Sequence, residues 1–286
     1  MIRQLRNYAE RVKNIHDNPF WVTQQNRAAR TKWPKALWKG YAGYALLLML
    51  PLGLVSNYFF QNGSLGHRDD RYTLAIIVCL IGVLQMLYVS MKAVLSTAPS
   101  VVQARQQGTL LALALTRINS ADFADGVALS ESRNILREFL VWVPAVALVT
   151  IAAGQSLYST FILTVVSMML VVYFAYNGIL VSATSKDTQE AGRRASQGTF
   201  VSLAGSCLGF MCGGFVLGPV WILHPIFAYL CAMWGTGSPT GTEMGSSDLS
   251  LLFWCGWSIF VVPVYAWMVL NVRQSAIRAL ERVRIQ

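Results

Sequence analysis

Acidic residues are scarce in this chain: Asp and Glu number 13 in 286 positions, and all charged types together make up 13%, about half the usual share of a soluble domain. That scarcity argues against an ordinary water-facing globule. No carboxylate falls inside an apolar run, which argues against a proton- or sodium-coupled carrier, whose sites include an acid at membrane depth. Cysteine is sparse as well, and Cys79, Cys207, Cys212, Cys231 and Cys255 all sit in apolar stretches with no C-x-x-C or His spacing. They read as small core hydrophobes, not as a disulfide frame or a zinc site. No G-x-x-x-x-G-K-S/T run exists, so the chain has no P-loop of its own to cradle ATP phosphates. Ser-His-Asp and His-Glu-x-x-His arrangements are missing too. The contiguous charges His67-Arg68-Asp69-Asp70-Arg71 read as a solvated loop.

What the chain has in abundance is hydrophobic sequence, 55% of it, gathered in long runs. A helix needs ~20 mostly apolar residues to cross ~30 Å of hydrocarbon. By that measure the sequence predicts an all-α integral membrane protein with six transmembrane helices, over about 41–60, 73–98, 138–155, 158–183, 199–218 and 250–272. A shorter stretch, 219–235, is broken by Pro219, His224 and Pro225 and is expected to be a re-entrant segment between the last two spans. A net charge of +10 would suggest nucleic acid in a soluble protein. Here the cations sort by side: six spans with both termini inside put 21 of the 23 Lys and Arg on the cytoplasmic face, leaving Arg68 and Arg71 outside. The expectations are therefore a multi-pass plasma-membrane protein, a bacterial inner membrane, both termini cytoplasmic, and no nucleic-acid partner. Residues 1–40 form a basic amphipathic arm, 41–272 a single transmembrane domain and 273–286 a basic tail.

Two segments outside the spans carry information. Asn18 suits a helix N-cap and Pro19 the first helical position, with Phe20 and Trp21 as bulky anchors, so the arm reads as an interfacial helix in contact with membrane lipid. Between Pro99 and Arg137, Thr109 is placed to cap a short apolar helix from Leu110 to Leu115, and Ser120, followed by Asp122, to start another. An apolar helix of under two turns is hard to stabilise alone and calls for a partner groove. In the fifth run Gly205, Gly209 and Gly213 recur every four residues, a face for close helix approach at a subunit interface, along a substrate path or within one subunit. Gln85, Asn177 and His224 are polar groups in apolar runs that need partners, and Lys92 is expected to snorkel.

The run Arg105-Gln106-Gln107-Gly108-Thr109-Leu110, then Leu113, Leu115 and Thr116, resembles the signature that follows the second span in export-type ABC transporter permeases (the ABC-2 group, type V exporter fold), and Asn18-Pro19-Phe20 is similar to the opening of their connecting helix. Ala104, Gln106 and Leu111 stand where that family often has glutamates, and Arg117-Ile118 where it has Pro-Leu. The resemblance implies a permease subunit of an ATP-driven exporter, not itself an enzyme. Gln107, Gly108, Thr109, Leu110, Leu113 and Thr116 would form the coupling helix, Asn18, Pro19, Phe20 and Trp21 the connecting helix, and Gly205, Gly209 and Gly213 the dimer interface or substrate path. The implied partners are ABC ATP-binding subunits and a second permease copy or a homologous permease. No cofactor would be held by this chain, ATP and Mg belonging to the partner subunit. The alternatives are a polytopic membrane enzyme acting on lipid and a non-transporting membrane scaffold.

Overall fold

A computed structural model describes residues 2–23, 84–110, 119–152, 157–213 and 246–285, and the regular structure among them is all helical. An N-terminal arm comprises α1 (Ile2–Lys13), a 3-10 turn (Ile15–Asp17) and α2 (19–23). The bundle comprises α3 (84–97), α4 (Ser100–Gln106), α5 (Ser120–Ala152), α6 (Leu157–Thr184), α7 (Thr188–Gly213) and α8 (Ser246–Ile285).

Local chemistry sets most of the starts. At α2 the Asn18 Oδ1 accepts the N–H groups of Phe20 and Trp21 at 2.9 and 3.4 Å, with Pro19 in the first helical position where its missing N–H costs nothing. Asn119 caps α5 by accepting the Ala121 N–H at 3.1 Å, so the helix begins at Ser120. Asp187 accepts the Glu190 N–H at 2.7 Å while the Glu190 carboxylate reaches back to the Lys186 N–H at 2.8 Å, a reciprocal arrangement that satisfies two backbone donors at the start of α7. α4 is capped from another helix: Ser182 Oγ accepts the N–H groups of Val101 and Val102 at 3.1 and 3.2 Å.

α6 is apolar on all sides and therefore buried at the centre, packed against α5, α7 and α8. One part of the core joins Met86, Val94, Phe139, Val166, Phe174 and Val261; the next joins Val101, Phe123, Tyr176, Ile179, Val269 and Leu280. Residue numbers rise along α5 and fall along α6 and α8 from the second group to the first, so α5 runs opposite to the other two. Gly178 lets α3 cross α6 closely, because a Cβ there would meet Thr97 Oγ1 and lie 2.6 Å from the Val94 carbonyl oxygen. α5 and α8 each contain one interior proline, Pro144 and Pro263.

The expectation of six membrane-crossing helices is not met. Among the described residues one helix, Thr164–Thr184, is long and apolar enough to cross a bilayer. In α3, α5 and α7 the described apolar stretches fall short of the ~20 residues a crossing needs: α3 covers 84–97, the part of α5 beyond Glu138 covers 139–152, and α7 spends its first turns on Glu190, Arg193 and Arg194. Residues 41–60, expected as the first span, lie outside the described residues, as do 73–83, 214–218 and the re-entrant 219–235. The permease function and the multi-pass plasma-membrane location with inward termini rested on that six-span architecture and fall with it. The basic tail expected over 273–286 continues α8 to Ile285, with Ala276 and Leu280 buried against the bundle.

Candidate functional site

The most elaborate polar site lies where the arm meets α5, α6 and α8. Asp125 on α5 is 2% exposed, among Phe123, Ala124, Val127 and Ala128, and a carboxylate buried in such company must be paired. Arg273 on α8 supplies a two-pronged pair, Nε donating to Oδ1 at 2.7 Å and Nη2 to Oδ2 at 2.6 Å. Tyr176 on α6 donates its hydroxyl to Oδ1 at 2.8 Å. Asp125 thus ties three helices together, and both of its oxygens are occupied by short, charge-assisted or hydroxyl bonds.

The arm covers this centre. Arg11 of α1 donates to Asp122 Oδ1 at 2.9 Å and stands 3.8 Å from Asp125 Oδ2. The Tyr8 ring lies 5.4 Å from the Arg273 guanidinium, and its hydroxyl shares a hydrogen bond with Tyr176. Beyond α1, Asn18 Nδ2 donates to the Asp122 carbonyl at 2.7 Å, and the Phe20 and Phe123 rings meet edge to face at 5.1 Å. Gly126 makes this approach possible, since a Cβ there would lie 2.7 Å from Phe20 Cβ and 2.8 Å from Asn18 Oδ1. Trp21, 6% exposed, ends the docking with its ring 5.2 Å from the Arg133 guanidinium and His16 edge-on at 5.9 Å.

Burial pushes the Tyr8 phenol up to about 12, against the opposing pull of its bond with Tyr176. Burial alone would weaken the charge on Arg273, but the bonds to Asp125 outweigh it and the guanidinium is held above its ordinary value. Both effects favour neutral phenols around a fixed ion pair. With both carboxylate oxygens engaged by Arg273 and Tyr176, the centre ties α5, α6 and α8 together. Among the described residues no three His, Cys, Asp or Glu side chains come together as a metal-ligand set.

A second charged group lies on the other side of α5. Lys92 of α3 pairs with Glu138 and stands 5.6 Å from the Tyr88 ring, so it has a partner where snorkelling was expected. Glu131 lies on the same side; burial raises its carboxyl above the usual range and Lys92 opposes that shift.

The residues singled out by sequence distribute as follows. Asn18, Pro19, Phe20 and Trp21 form the docked α2 and its cap. Gln107 ends α4, its N–H bonded to the Gln103 carbonyl at 2.9 Å, and Gly108 takes a left-handed φ of 69° that turns the chain into Thr109 and Leu110. Gln107, Gly108 and Thr109 are exposed, whereas Leu110 packs against the chain's own core beside Val101 and Ala104. Arg105, next to them, donates to the Ala183 and Ser185 carbonyls at 3.3 and 3.4 Å and so closes the end of α6. Leu113 and Thr116 lie outside the described residues. Gly205, Gly209 and Gly213 fall on the last turns of α7, with surroundings outside the described residues. Gln85 has a buried amide nitrogen with no hydrogen-bond partner among the described residues, Asn177 is half-buried on α6, and His224 lies outside them.

Sequence reasoning missed Asp125, Tyr176, Arg273, Tyr8 and Arg11. The signal for one of them was present: Asp125 interrupts the apolar residues Phe123, Ala124, Val127 and Ala128 on a helix, a position where an acid is retained only if paired. Comparison with protein-family models finds no match for this chain, and comparison with curated proteins finds none either.

Proposed function

We propose that this chain is a non-catalytic helical protein that contacts a lipid bilayer through a belt of exposed apolar side chains and carries its N-terminal arm at the opposite, ion-paired end. The observation that supports this reading is a common offset on three helices. Phe161, 62% exposed, precedes Tyr176 by 15 residues on α6; Phe260, 70% exposed, precedes Arg273 by 13 on α8; Leu140, 46% exposed, follows Asp125 by 15 on the oppositely directed α5. At 1.5 Å per residue each lies about 20–22 Å from the Asp125 centre, all toward the same end. Leu84, Phe200 and Val201 add exposed apolar surface from α3 and α7. A large apolar side chain held in water on each of five helices is far from the scattered exposure of a water-facing surface. Apolar exposure spread over five helices suits lipid better than a single docked partner, which needs one face.

Flotation tests the reading. Full-length chain mixed with phosphatidylcholine vesicles should rise with them through a density gradient, and Phe161→Lys with Phe260→Lys should leave most of it at the bottom. Wild-type chain that stays down in detergent-free buffer while remaining folded would end this assignment.

A further inference from the structure

The outer face of α5 runs Arg133, Arg137, Leu140, Pro144, at spacings of four, three and four that place all four residues on one side of the helix. Arg137, Leu140 and Pro144 are exposed and Arg133 is half-buried. The stripe therefore passes in about three turns from two cations to the apolar belt. Of the acids in this part of α5, Glu138 is paired with Lys92, and the charge of the same lysine acts on Glu131. Neither arginine has an acidic partner among the described residues. Burial and the neighbouring Arg137 both hold the Arg133 guanidinium below its ordinary value, so the pair is in mutual conflict as it stands. Like charges four residues apart on a helix are destabilising unless something answers them.

One arginine is also held in place. The Arg133 guanidinium lies 5.2 Å from the Trp21 ring, and Trp21 is buried and fixed by the Asn18 cap. Stacking restricts the plane of the guanidinium while leaving its edge donors free. Two guanidinium groups on adjacent turns offer paired N–H donors in the geometry a phosphate accepts.

We propose that Arg133 and Arg137 form a binding site for the phosphate of an anionic lipid headgroup, with Trp21 of the docked arm as the positioning residue and Leu140 beside the acyl chains. The site rests on the bilayer reading above and adds to it the class of lipid chosen. A lipid is favoured over a free anion because the cations end where the apolar belt begins, so one molecule meets both. It also gives the arm a role, since releasing α2 removes the stacked ring.

The test uses full-length chain in detergent, exposed to phosphatidylglycerol, phosphatidylcholine or inorganic phosphate, with retained lipid counted by native mass spectrometry. Wild type should retain phosphatidylglycerol over phosphatidylcholine by an order of magnitude or more, roughly fivefold per arginine at low salt. Arg133→Gln with Arg137→Gln should lose that preference and still retain neutral lipid. Trp21→Leu should reduce the preference severalfold. The control, Arg278→Gln with Arg282→Gln, removes the same charge at the same spacing from the exposed end of α8 and should leave the preference unchanged. An unchanged preference in the Arg133 and Arg137 variant, or an equal loss in the control, overturns the site. So does displacement of phosphatidylglycerol by millimolar inorganic phosphate, which would make the ligand a free anion. Retention of neutral lipid without anionic preference overturns this site alone, whereas absence of any lipid overturns the bilayer reading and the site together.

Discussion

Asp125 and Arg273, 148 positions apart, meet through two parallel hydrogen bonds at 2.7 and 2.6 Å in the interior of the bundle. Removing one member leaves the other charged and buried. Arg273→Met should therefore lower the unfolding free energy by about 3–5 kcal/mol, read by chemical denaturation of the full chain. Adding Asp125→Asn to that variant should recover most of the loss, because the amide oxygen still accepts the Tyr176 hydroxyl and no net charge remains buried. Equal instability of the single and double variants would contradict this account.

The arm's ion pair has a different weight. Arg11 and Asp122 are 41% and 46% exposed, and pairs so open to water contribute less than about 1 kcal/mol. Arg11→Gln should barely shift the unfolding midpoint, and whatever it does shift should vanish in 0.5 M salt.

Gly126→Ala should matter more than any single charge on the arm. The new methyl would overlap the Cβ of Phe20, an atom too near the backbone to swing aside, so α2 has to lift from α5. The expected cost is about 1–3 kcal/mol, with faster protease cleavage near residue 23 as the readout. Phe20→Ala in the same background should add little, since the contact is already lost.

Alkaline pH should release α1. Tyr8 in the folded chain ionises at about 12 against 10.0 for the free side chain, so the fold favours the protonated phenol. Its contribution is complete below pH 10 and drains away as the pH rises through 12. Tyrosinate absorbance followed alongside protection of the arm should show the two changing together, and Tyr8→Phe should remove the Tyr8 component of that step.

Part of this arrangement is legible in the amino-acid order, and the legible part is local. Asn18 before Pro19 announces a helix start because a cap and the donors it serves lie within three residues of each other, and α5 begins at the expected Ser120 although its cap is Asn119. Arg273 is the opposite case. Read along the chain it belongs to a run of cations after an apolar stretch, and nothing nearby says that its carboxylate lies at position 125. Tyr8 and Arg11 are equally silent, being ordinary members of a basic helix until they meet α5 and α8. The six-span expectation failed for a related reason. Run length measures how much apolar sequence is available, whereas α5 becomes apolar only after Glu138 and its described part ends at Ala152, too short to cross alone. A resemblance carried by Gly108, Thr109 and Leu110 likewise says little about tertiary setting, for Leu110 is turned into the chain's own core.

The two interior prolines acquire meaning from where their missing donors fall. Pro144 deprives the Leu140 carbonyl of its helical partner, and Pro263 does the same to Ile259, the exposed neighbour of Phe260. Each of these helices thus has its weakest backbone joint at the belt and its strongest side-chain lock at Asp125 and Arg273. Bending concentrates where the ladder is broken, so thermal motion of α5 and α8 should resemble two fingers flexing from a common, rigid knuckle on which the arm rests.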